Sequence, residues 1–154
     1  MPDELHFMMG EFQAEFPTDR SYAKNHMWAQ QQESGDWRFG FSAYAVRLLQ
    51  DVYFLDWEIT VSATVAEKQE IGQIESQKAE ASLYAPLTGA VTRLNEVLLA
   101  DPSAINVDKY GAGWLFELRI SEQAAPLLSP AAYREHLDAV WEVTQRTIKG
   151  QMNE

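Results

Sequence analysis

The chain has 154 residues, 46% hydrophobic and 23% charged, the balance of one globular domain with a buried core, and no run approaches the roughly 18 apolar residues that a membrane span needs. Its net charge of -11, with lysines and arginines scattered, excludes nucleic acid and an anionic membrane as partners. Without cysteine there is no disulfide, no thiol nucleophile and no thiolate metal ligand, so any redox sulfur has to arrive on a cofactor.

The acidity serves solubility or steers the protein toward basic faces of partner enzymes. The start carries Asp3 and Glu4 in place of a basic and then apolar leader, which predicts a cytoplasmic protein. His6, His26 and His136 lack metal-ligand spacing and read as structural or surface groups.

Residues 1–20, with Pro2, Pro17 and mixed polarity, read as a partly irregular lead-in that Phe12 and Phe16 pin to the body. Residues 21–128 read as the main folded unit. Ser21 to Gln32 places Tyr22, Lys24, His26 and Trp28 at period two, a strand with four large side chains on one face. Ser34-Gly35-Asp36 is a turn, and Trp37, Phe39 and Phe41 continue as the second strand of a hairpin. Ser42 is an N-cap for a short helix to about Gln50, with Val46 and Leu49 on one side. Asp51 to Trp57 reads as a buried strand, and Ile59, Val61, Ala63 and Val65 alternate as another. Glu67 to Glu70 is a polar turn.

Gly72 opens an apolar strand pattern that reaches a polar tip at Lys78; a second strand follows to Pro86, and Pro86-x-x-Gly89 turns into a third over 90–95. A lysine at such a tip is held by a rigid sheet with its ammonium in water, where another enzyme can acylate it. Residues 95–100 suit a brief helix ended by Asp101-Pro102. A glycine-punctuated loop, Asp108 to Trp114, feeds a strand in which Trp114, Phe116, Leu118 and Ile120 alternate. Residues 129–154 read as a helix on the same domain: Ser129-Pro130 starts it, Tyr133, Leu137, Val140, Trp141, Thr144 and Ile148 form its stripe, and Gly150 stands where a cap would. It packs on the sheet or, less favoured, binds a partner. Short strands with helices at connections and at the C-terminus make a β-rich α+β fold, a small barrel or sandwich.

The motifs around Lys78 carry more. Glu75-Ser76-Gln77-Lys78-Ala79, Leu83-Tyr84-x-Pro86-x-x-Gly89-x-Val91, Asn95, Pro102, Ile105-Asn106, Asp108 and Tyr110-Gly111-x-Gly113-Trp114 follow in order, after Tyr22-x-Lys24-x-His26-x-Trp28. From about Tyr22 to Ile120 this resembles the glycine cleavage H-protein family of biotinyl/lipoyl carriers. Biotin carriers place methionine on both sides of the lysine, whereas here the neighbours are Gln77 and Ala79 and a Glu-Ser pair precedes them, as in lipoyl carriers. The resemblance implies a barrel-sandwich hybrid fold and lipoic acid bound as an amide to Lys78. It also implies that Glu75 and Gly89 help a lipoate-attaching ligase or transferase recognise the hairpin. Plainer roles, a solvated strand residue and a turn residue, stand beside these. The protein would then be a substrate of its partners, with no catalytic residue of its own; no Ser/His/Asp, Cys/His or metal-ligand constellation supports a stand-alone enzyme.

Gln77 and Glu80 stand where the family usually has small residues, Ser82 where many members have Asp, Leu49-Gln50-Asp51 where Leu-Gly-Asp is common, and Lys109 where a proline is expected. With the extended start around Phe16-Pro17, these departures lean toward the branch of H-like lipoate-binding proteins that serve a heterodisulfide-reductase-like sulfur-oxidising system. The alternative is the glycine cleavage protein, with a decarboxylase, an aminomethyltransferase and dihydrolipoamide dehydrogenase as partners. A further alternative is an unlipoylated interaction module.

Overall fold

The computed structural model describes residues 3–120 and 127–153, with side chains in the last helix described through residue 145. Strands β1 (Glu4–Met9) and β2 (Phe12–Pro17) form an antiparallel hairpin. This corrects the irregular lead-in: Phe7, Met9, Ala14 and Phe16 are buried at alternate positions, and Gly10 turns the chain at φ 66°. Pro17 is the last residue of β2, paired with Glu4 at the end of the ladder, a margin where proline is tolerated; Pro2 lies outside the described residues.

The expected strand over 21–32 is two, β3 (Ser21–Tyr22) and β4 (Met27–Gln31), antiparallel to each other. His26 takes φ 70°, and Ala23 N–H reaches Met27 O at 2.7 Å, so the polar Lys24-Asn25 pair is spent on a turn. β5 (Trp37–Phe41) completes the expected hairpin with β4. Helix α1 (Ala43–Leu49) follows Ser42, whose hydroxyl makes no capping bond and instead meets the Tyr133 hydroxyl at 2.8 Å. β6 (Val52–Trp57) buries Val52 and Leu55 but exposes Tyr53 and Phe54, so it is half-buried where a wholly buried strand was expected. Of the alternation over 59–65 only β7 (Thr64–Val65) pairs, because Ser62 turns at φ 82°.

β8 (Glu70–Ser76), β9 (Glu80–Tyr84) and β10 (Gly89–Leu94) follow, then two single-turn helices, α2 (Val97–Ala100) and the unanticipated α3 (Ala104–Val107), and β11 (Phe116–Arg119). The final helix α4 (Pro130–Asn153) starts with Ser129 Oγ accepting Ala132 N–H at 3.1 Å and runs through Gly150, which therefore does not cap it.

A six-stranded sheet in the order β3-β4-β5-β11-β10-β7 faces a three-stranded sheet, β6-β8-β9. Between them lies the main core, including Phe39, Phe116, Leu118, Ile71, Ile74 and Leu83. A second, aromatic core forms under the β1–β2 hairpin: Tyr133 of α4 stacks on Tyr22 at 4.7 Å, Phe16 meets Tyr133 edge-on at 5.3 Å, and Phe7 meets Trp141 edge-on at 6.4 Å. α4 thus packs chiefly on the added hairpin and β3. No helix among the described residues is long and apolar enough to cross a membrane.

Candidate functional site

β8 and β9 pair from Glu70↔Tyr84 to Glu75↔Glu80, leaving Gln77 and Lys78 as the two residues at the tip. Ser76 closes the turn. Its N–H donates to Ala79 O at 2.9 Å, its hydroxyl donates to the same oxygen at 3.0 Å, and that hydroxyl oxygen accepts Ala79 N–H at 3.2 Å. The neighbouring chain braces the tip from the side: Gln77 N–H donates to Asp51 O at 2.8 Å. Sequence reasoning noted Ser76 only as part of a Glu-Ser pair; its burial at 5% exposure between two charged strand ends marks its structural task.

Lys78 is exposed, and its ammonium has no ion pair or hydrogen bond among the described residues. The body therefore holds the backbone on which Lys78 stands and leaves the amine to solvent. That is what covalent attachment of an arm requires: an accessible nucleophile on a fixed mount. The mount suits lipoate, since nothing at the tip competes for the nitrogen.

Glu75 is half-buried one pair below the tip, directly opposite Glu80 on one side and Phe54 on the other. Opposed like charges destabilise a sheet. With Asp56 in register further down, the outward face of β6-β8-β9 is acidic, and none of Asp56, Glu75 or Glu80 has an ion-pair partner among the described residues. At its lower end burial and the Glu70 carboxylate hold Glu58 above the usual carboxylate range. Gly89 is elsewhere, at the start of β10. A Cβ there would lie 2.6 Å from Arg119 O, so its role in the fold is to let β10 approach β11 closely. It does not occupy a left-handed turn position.

The histidines lie away from the β8–β9 hairpin. Burial first, then nearby His136, push the His26 pKa down to about 4, and its Nδ1 meets the Tyr133 hydroxyl at 2.9 Å. His6 comes together with Glu4 and Glu15 across the β1–β2 hairpin, ligand atoms within 4.8 Å of one another, a proximity that spacing along the chain did not reveal. All three are exposed, and His6 and Glu4 at 4.0 Å make an ordinary surface contact.

A barrel-sandwich body presenting one unpartnered lysine on a braced hairpin defines a carrier of a covalent arm. The family model described as Glycine cleavage H-protein matches residues 20–140, and the chain belongs to that family. It is 40% identical over 119 residues to the glycine cleavage system H protein of Myxococcus xanthus, covering 76% of this chain and 91% of the relative, and 35% identical over 119 residues to that of Thermobifida fusca, covering 77% and 93%. The crystal structure of a glycine cleavage system H protein from Mycobacterium marinum superposes with a TM-score of 0.69 at 31% identity, covering 80% of this chain and 98% of that one. The β1–β2 hairpin and the later turns of α4 fall outside the matched range. Proteins of this family carry lipoate covalently on a lysine and are lipoyl carriers, not catalysts.

Proposed function

We propose that Lys78 is the lipoylated residue and that the protein is a cytoplasmic carrier. The observation that carries this reading is the free ammonium at a tip whose backbone is tied down by Ser76 and Asp51. When bound, lipoate would supply a dithiolane able to take up a group together with two electrons, and a dithiol that gives up two electrons when the ring is restored. The chain's own residues mount the arm, keep its base rigid and offer an acidic face beside it. Glu75 serves recognition by the lipoate-attaching enzyme by contact, whereas Gly89, which the resemblance pairs with it, is read as a residue of shape that sets the β10–β11 approach.

The relatives named above weigh toward the glycine cleavage system, so the carried group is read as aminomethyl, with the decarboxylase, the aminomethyltransferase and dihydrolipoamide dehydrogenase as partners. This reverses the lean from sequence. The sulfur-carrying reading, with a heterodisulfide-reductase-like complex as partner, keeps one specific support: Gln77, Glu80 and Ser82 differ from the family's usual residues on the hairpin itself.

Intact mass after incubation with lipoate, ATP and a lipoate ligase tests the carrier. One lipoyl adduct is expected, lost in Lys78→Arg; an adduct that survives that substitution overturns the assignment. The lipoylated protein is then given to glycine decarboxylase and aminomethyltransferase. Efficient loading supports the aminomethyl reading, and failure to load with a functioning enzyme pair overturns it.

A further inference from the structure

The tip of the lysine hairpin is held by a backbone carbonyl, that of Asp51, and the structure explains what holds that carbonyl. Asp51 lies in the strap between α1 and β6. On one side of it Gln50 O accepts a bond from Asn106 Nδ2 at 2.7 Å, and on the other side Val52 N–H donates to Asn106 Oδ1 at 2.9 Å. One amide on α3 thus grips both neighbours of Asp51 and sets the direction of its carbonyl toward Gln77 N–H, 2.8 Å away.

Gln50 itself takes φ 62°, ψ −145°, a conformation nearly reserved for glycine. A residue stays there only where its surroundings over-determine it. Here Gln50 N–H caps α1 on Val46 O at 2.9 Å, its side chain donates to Arg47 O at 2.6 Å, and its carbonyl is the one held by Asn106.

We infer that Gln50 and Asn106 form a clamp on the tip of the β8–β9 hairpin, positioning residues that fix the height and direction from which Lys78 leaves the body. The inference rests on Lys78 being the modified lysine. Neither side chain touches Lys78; both act through Asp51 O and Gln77 N–H.

Two variants and two readouts test it. In Asn106→Asp the acceptor for Val52 N–H is kept and the donor to Gln50 O is lost. Exchange of the Gln77 amide is expected to quicken roughly fivefold, the factor that one net hydrogen bond contributes. Amides of the β10–β11 pair are expected to keep their rates. In lipoate ligase assays, with carrier concentration corrected for the folded fraction, the KM for the carrier is expected to rise while kcat holds; an unfolded fraction alone would raise the uncorrected KM only in proportion to itself and would leave the corrected value unchanged. Gln50→Gly relaxes the strap without touching Asn106: the melting temperature holds or rises while Gln77 exchange quickens. Should Asn106→Asp not fold, Gln50→Gly decides. Unchanged Gln77 exchange and unchanged KM in the folded variants would overturn the clamp. A parent protein that takes no adduct at Lys78 sinks the carrier reading instead, and the exchange rates then still decide the clamp.

Discussion

Gly89→Ala separates a glycine needed for shape from one needed for contact. The added Cβ would sit 2.6 Å from Arg119 O and 3.4 Å from Ile120 Cγ1. The first neighbour is backbone of β11 in the six-stranded sheet and cannot swing aside. Either β10 or β11 has to move, although Val91 and Leu118, paired across them, are 1% and 0% exposed in the main core. Overpacking of this kind costs about 1–3 kcal/mol, offset by about 0.5–1 kcal/mol from removing a glycine's freedom in the unfolded chain. The net loss is about 1–2 kcal/mol, which for a chain of this length lowers Tm by roughly 2–8 °C. A calorimetric melt reads this directly, and lipoate ligase kinetics well below Tm read recognition. We expect the lower Tm with a carrier KM that changes little. A Gly89→Ala protein melting at or above the parent would refute the steric reasoning. A much higher KM at unchanged Tm would make Gly89 a contact residue.

Acid should weaken the aromatic core first. His26, facing His136, Tyr44 and Tyr133, has its pKa pushed from 6.5 to about 4, so between those values the unfolded chain takes up a proton that the native chain refuses. Stability is therefore unaffected by this group above pH 6.5 and falls as the pH drops toward 4, by about 3 kcal/mol in total, and His26→Gln should flatten that part of a pH series of urea melts. Arg38→Leu should cost about 3–5 kcal/mol, because Glu117, 3% exposed, loses its 2.8 Å partner and keeps only Arg93 at 3.5 Å; a double variant with Glu117→Leu should recover much of the loss in the same chemical denaturation assay. Salt should weaken engagement of the acidic face: the ligase KM for the carrier should rise from about 50 to 200 mM NaCl, as screening shortens its reach, and the rise should shrink in Glu75→Gln/Glu80→Gln.

Where the sequence and the fold agree, the reason is periodicity. Trp37, Phe39 and Phe41, the strand after Gly72 and the stripe from Tyr133 to Trp141 each bury one face, so one hydrophobic pattern decides both element and orientation. The hairpin of residues 4–17 is hard to read from its residues for a physical reason. Its inward positions include the small Ala14, its polar face carries Glu4, His6 and Glu15, and Pro17 suggests irregularity although it pairs with Glu4 at the end of the ladder. Residues 21–32 read as one strand because a period-two pattern survives across a tight turn. Tyr22 and Trp28 are both buried, but His26 reaches its place through a left-handed conformation that no composition cue announces.

The site divides in the same way. Lys78 was legible as a projecting residue because a polar tip between two apolar strands can do little else, whereas Glu75 entered only through the family resemblance and its recognition role is a proposal. Its supports were hidden, since they act through main-chain atoms. Ser76 matters for an oxygen aimed back at Ala79, Asp51 for a carbonyl that any residue would possess, and Asn106 for gripping the peptide groups beside it. Residue identity alone cannot report such work, because the atoms that touch the tip belong to the backbone. Gln50 shows the consequence most clearly: the sequence has an ordinary polar residue there, and only φ 62° shows that the surrounding bonds must hold it in place. On the proposed reading the carrier's chemistry sits on Lys78, while the direction of its mount resides in neighbours whose peptide groups are held.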